Sequence, residues 1–71
     1  MKRGDSGVIT RQLTVSGGKG RTVVLAVGTR VVYSRERPYG MWGFFVVQEG
    51  QEYNRKNEIP IYSSDTVKFG Q

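Results

Sequence analysis

Glycine, proline or a cluster of small polar residues interrupts this chain every eight to twelve residues, so no element in it can be long. What lies between the breaks is β-branched and alternating, and nowhere does a helical period last long enough to build a packed helix. The segment Val8–Val15, VITRQLTV, places Ile9, Leu13 and Val15 on one face and Thr10, Gln12 and Thr14 on the other. Arg11 is the single interruption on its apolar side. SGGKG at Ser16–Gly20 is a turn, and Arg21–Val27, RTVVLAV, completes an N-terminal hairpin. Further strands are expected at Arg30–Ser34, at Met41–Gln48 and at Ile59–Tyr62, where Pro60 points to an edge strand or a strand start. Ser63–Asp65 is turn chemistry with room for one helical turn, and Thr66–Phe69 forms a last short strand. The expected fold is all-β, a small closed or half-closed barrel of five or six short antiparallel strands.

A chain of 71 residues makes one domain with a small core and a stability margin of a few kcal/mol. Residues 1–7 carry two glycines and no apolar run, and read as a flexible basic arm whose loss costs little; residues 8–71 are the domain. Val31, Tyr33, Val46 and Ile59 are expected in the core. Phe44 and Val46 alternate with Phe45 and Val47, one pair facing the core and the other facing outward. With neither cysteine nor histidine, the chain lacks a thiolate site, the commonest general base and the usual ligands of a structural zinc. A cysteine-free small domain fits a reducing, cytoplasmic location, and no apolar run approaches the length of a membrane helix.

The net charge of +5 is unevenly placed. Up to Arg37 there are eight basic residues against Asp5 and Glu36, and from Pro38 onward three against four acidic ones. Seven of the eleven basic residues are arginine, whose planar fork suits phosphates and carboxylates. The resulting field attracts polyanions or an acidic protein surface. Catalytic sets do not nominate themselves: Glu49, Glu52 and Glu58 occupy turn-like stretches and read as solvated surface, and the GGKG turn lacks the spacing of a phosphate-binding loop. We therefore expect no enzyme, no cofactor and no metal.

What remains is a binding surface, centred on Arg35–Val47, RERPYGMWGFFVV, where arginines interleave with aromatics. Such a mixture suits stacking with bases plus phosphate contact, and equally suits a protein interface. The candidate contact residues are Arg11, Lys19, Arg21, Arg30, Arg35, Arg37, Tyr39 and Trp42. Trp42 can either cap the core or stand as an exposed platform beside Arg35 and Arg37, while Tyr39 belongs to an exposed loop.

Gly28–Val47, GTRVVYSRERPYGMWGFFVV, resembles the KOW motif of transcription elongation factors and ribosomal proteins. The match runs through Gly28, Val31, Tyr33, Pro38, Tyr39, Gly40, Gly43, Val46 and Val47, with the charged stretch Ser34–Arg37 as an insertion. Downstream, Glu58–Phe69 is similar to the strand, helical turn and final strand that close SH3-like barrels. The resemblance implies a small SH3-like barrel carrying the N-terminal hairpin as an addition. It also implies a small non-enzymatic regulator touching nucleic acid (RNA or DNA), RNA polymerase or the ribosome. The alternative from another class is a protein-interaction module, such as a phage-encoded inhibitor or regulator of a host enzyme.

Overall fold

The computed structural model describes residues 2–16, 22–38, 40 and 42–70, with only the backbone of Ser16 and Ser64. The protein is all-β. Among the described residues the strands are β1 (Ser6–Ile9), β2 (Leu13–Ser16), β3 (Thr22–Leu25), β4 (Arg30–Glu36), β5 (Phe44–Gln48), β6 (Ile59–Ile61) and β7 (Val67–Phe69). Five of them form one antiparallel sheet in the order β6-β5-β4-β1-β7, and β2 and β3 form a separate hairpin. A 3-10 turn, Ser64–Thr66, precedes β7. No helix among the described residues is long and apolar enough to cross a membrane.

Among the described residues seven strands replace the expected five or six, because Val8–Val15 falls in two strands, not one. The chain turns at Thr10–Gln12, the place that Arg11 interrupts. There Thr10 donates from its amide to the Thr66 carbonyl (2.9 Å) and from its hydroxyl to the Asp65 carbonyl (2.7 Å). The turn lets β1 stay in the main sheet, paired with β4 and β7, while β2 crosses to pair with β3. Leu13, Val15, Val23 and Leu25 on the inner side of the hairpin then meet Ile9, Val31, Val46, Ile59, Ile61 and Val67 of the main sheet. Tyr33, Phe44 and Phe69 extend this core as a ring cluster with centroids 5.5–6.2 Å apart. Val31, Tyr33, Val46 and Ile59 are buried, as expected. Pro60 lies on β6, an edge strand of the main sheet.

The boundary expected at residue 7 moves. Ser6 and Gly7 are half of β1, and the ladder continues outward: the Gly4 amide donates to the Tyr33 carbonyl and the Tyr33 amide to the Asp5 carbonyl, both at 2.9 Å. Arg3 adds a bond from Nε to the Ser34 carbonyl (3.1 Å), and its guanidinium lies over the Tyr53 ring at 5.2 Å. The segment therefore packs. Removing residues 1–4 should cost about 1–3 kcal/mol, the sum of two hydrogen bonds and one guanidinium–aromatic contact. The measurement is a urea midpoint at unchanged slope; a loss below about 0.3 kcal/mol would return these residues to the status of a loose arm.

Candidate functional site

Strand β4 holds the device that builds the site. Its pairing with β5 runs Val31↔Gln48, Val32↔Val47 and Tyr33↔Val46, then resumes one residue late at Arg35↔Phe45 and Glu36↔Phe44. Ser34 is the extra residue of a β-bulge. Tyr33 and Ser34 are consequently both buried, although neighbours on a regular strand face opposite ways. The bulge resets the alternation: Arg30 and Val32 face away from the core before it, and Arg35 and Arg37 face the same way after it. Without that extra residue Arg35 and Arg37 would point into the core.

This outer face of the main sheet can be read row by row across the strands. Arg30, Val8 and Lys68 form one row, Val32 and Val47 the next, and Arg35, Phe45 and Pro60 a third. Continuing the register brings Arg37, Gly43 and Tyr62 into a fourth, tied by a bond from the Arg37 amide to the Gly43 carbonyl (3.3 Å). Cation and aromatic meet within the last two rows. The Arg35 guanidinium lies over Phe45 at 4.4 Å and that of Arg37 over Tyr62 at 4.8 Å. Arg37 reaches Tyr62 because Gly43 between them has no side chain. A Cβ there would sit 3.0 Å from Arg37 Cδ and 2.6 Å from the Ile61 carbonyl oxygen.

The expected outward pair on β5 is present, and Val47 of that pair is nevertheless fully buried. Polar groups gather over this part of the face. Glu58, in line with Val47, keeps only 6% of its side chain exposed. It accepts a bond from the Ser34 hydroxyl (2.7 Å) and two-pronged bonds from Arg35, Nε to Oε2 and Nη2 to Oε1, both 3.0 Å. The reading of Glu58 as solvated surface is thus corrected. Burial pushes its carboxyl up, but the bonds from Arg35 and Ser34 and the nearby charges of Arg35 and Arg3 outweigh burial and hold it below its ordinary value.

The expected contact residues divide accordingly. Arg11 is committed to Asp65 at 2.7 Å, an exposed pair, and Asp65 is held below the ordinary carboxylate range by the Ser63 hydroxyl first and by Arg11 second. Arg35 is committed to Glu58 and Phe45, so its first role is structural. Trp42 is 58% exposed, which removes the core cap. Arg37 donates from Nη1 to the Trp42 carbonyl (3.3 Å) while lying over Tyr62, which is itself 57% exposed. Arg30 is exposed at the far end of the same face, whereas Lys19, Arg21 and Tyr39 lie outside the described residues.

Tyr62, Lys68 and the Arg3–Tyr53 stack were not legible as site residues. Tyr62 ends an apolar run and looks like core, and only the register of β5 with β6 shows that it faces outward. Among the described residues no group of acidic side chains is placed to hold a metal ion. The chain matches no known family model, and neither a curated protein nor a solved structure similar to it is found.

Proposed function

We propose that the protein is a small non-enzymatic binding domain that takes single-stranded nucleic acid on the outer face of its main sheet, at the end formed by Arg37, Trp42 and Tyr62. One observation carries this reading: the Arg37 guanidinium lies over the ring of Tyr62 and bonds to the backbone carbonyl of Trp42, and both of these aromatic residues are more than half exposed. Every base has a π-face, so exposed rings bind single strands without regard to sequence, and a stacked guanidinium can serve a base or a phosphate. The net charge of +5 supplies the long-range attraction.

The resemblance of Gly28–Val47 to the KOW motif attaches the reading to transcription or translation, with RNA polymerase or the ribosome as the larger partner. The 3-10 turn between β6 and β7 supports the SH3-like barrel that the same resemblance implies. A cysteine-free chain fits the cytoplasm.

A protein partner is the second reading, and a specific observation favours it. Arg11 and Arg35 are already held by carboxylates, while Val24 and Val27 join Trp42 and Tyr62 as exposed large apolar side chains. A compact inhibitor or regulator of a host enzyme would use such anchors.

Titration of a labelled mixed-sequence RNA or DNA strand, followed by fluorescence anisotropy across a salt series, separates the two. Trp42→Ala or Tyr62→Ala should each cost about 1–3 kcal/mol at an unchanged salt slope, because stacking releases no counterion. Arg37→Gln should flatten the slope by about 0.7 if it touches a phosphate. A wild-type protein that shows no salt-dependent binding at about 50 mM salt, where such contacts are strongest, defeats the nucleic-acid reading and leaves the protein partner.

A further inference from the structure

Resting on that reading, we infer that the strand of nucleic acid runs along β4, from the stacking end at Arg37 to a separate phosphate contact formed by Arg30 and Lys68. The second contact comes from the register. Val8 lies directly opposite Arg30 on one side and opposite Lys68 on the other, so the two cations flank one small apolar residue on the outer face. Both are exposed. Neither has a carboxylate within ion-pair distance among the described residues, in contrast to Arg11 and Arg35. They are the cations of this face that the fold does not use.

The bulge at Ser34 puts both ends on the same side. Arg30 and Arg37 are seven residues apart on one strand line, about 20 Å at the rise of a β-strand. A single strand stacked at 3.4 Å per nucleotide covers that span in about six nucleotides, and a stretched one in fewer. Between the ends the face offers the stacked Arg35–Phe45 pair and the half-buried Val32; Glu58 is buried under Arg35, and the exposed Glu36, paired with Phe44, belongs to the opposite side of β4. Glu49 lies in register with Arg30: its amide donates to the Arg30 carbonyl at 3.1 Å. A phosphate at Arg30 therefore meets Glu49 as a repulsive neighbour, and neutralising Glu49 should tighten binding.

The test compares a dinucleotide with a decanucleotide of the same mixed composition. With amide-resolved NMR, the dinucleotide should shift the resonances of Trp42, Gly43 and Tyr62 only. The decanucleotide should shift these and those of Val8, Arg30 and Lys68 as well. In the anisotropy assay, the double variant Arg30→Gln/Lys68→Gln should flatten the decanucleotide's salt slope by about 1.4. Between 50 and 200 mM salt, wild type should then lose about sevenfold more affinity than this variant does. The control is Arg55→Gln/Lys56→Gln, which removes the same charge from an exposed turn of the loop between β5 and β6. It should change the slope by less than half as much, and Glu49→Gln should strengthen decanucleotide binding. Equal effects of the two double variants, or decanucleotide shifts confined to the Trp42 end, overturn the track while leaving the stacking site standing. Absence of binding by both oligonucleotides overturns the track and the nucleic-acid reading together.

Discussion

Gly43→Ala should lower the melting temperature by roughly 10–30 °C, the equivalent of about 2–4 kcal/mol in a domain of this size. Two independent costs meet at this position. Its φ of +115° lies where side-chain-bearing residues are strained, at about 1–3 kcal/mol. The added methyl would also approach the Ile61 carbonyl oxygen to 2.6 Å, and a backbone atom cannot swing aside as a side-chain end can. Gly50 isolates the second cost. It has a comparable φ of +91°, but nothing lies within 4 Å of where its Cβ would be. Gly50→Ala should therefore cost only the backbone strain. If thermal unfolding shows equal losses for the two variants, the close approach of β5 to β6 is not what Gly43 is for. A Gly43→Ala protein that still folds should also bind more weakly, since its methyl displaces Arg37 from the path to Tyr62.

That position shows what the sequence could and could not reveal. Gly40 and Gly43 around Met41-Trp42 announce a bend, and both do adopt positive φ (68° and 115°). Period-two patterning locates five of the seven strands one to one, because one buried face imposes alternation on each strand. It fails at Val8–Val15. There the apolar phase is the same on either side of Arg11 while the backbone leaves one sheet for another, and phase carries no information about partners. The segment at residues 1–7 fails for a related reason: β1 begins with Ser6 and Gly7, which have no apolar side chain to announce a strand. Gly7 is there because Phe69 lies over it, its ring atoms 2.8–2.9 Å from where a Cβ would be. The site was half legible. Arginine–aromatic interleaving is visible in one dimension, but the pairings Arg35–Glu58, Arg37–Tyr62 and Arg3–Tyr53 join residues 23 or more apart and depend on the register across strands. A one-residue bulge decides which face the arginines take, and nothing in SRER marks the serine as the extra residue.

Glu58→Ala should cost about 2–4 kcal/mol near neutral pH, a third or more of the stability of so small a domain. Three groups lose their partner at once. The Ser34 hydroxyl, buried in the bulge, is left without an acceptor, and Arg35 loses both prongs of its contact. The figure stays below that of a fully buried pair because the Arg35 side chain is 40% exposed and water screens part of the loss. The more informative variant is Glu58→Gln, which keeps the shape and removes the charge. Because the folded protein holds Glu58 below its ordinary value of 4.5, its contribution is fully present above that pH and is lost as pH falls through the folded value. The stability gap between wild type and Glu58→Gln, from urea unfolding, should thus be widest near about pH 7 and close as the solution is taken below about pH 4. Arg35→Met adds the complementary case. It retains an apolar stem over Phe45 but leaves the carboxylate buried without its closest cation, so burial, the largest influence, is opposed only by the Ser34 hydroxyl and the more distant Arg3, and the carboxyl moves up relative to wild type. That variant should be weakest at neutral pH and recover relative to wild type in acid. If both gaps stay constant from about pH 7 to pH 3, the carboxylate is not what secures the bulge. The outward placing of Arg35 and Arg37 would then have to rest on the packing of Tyr33 against Phe44 and Phe69 alone.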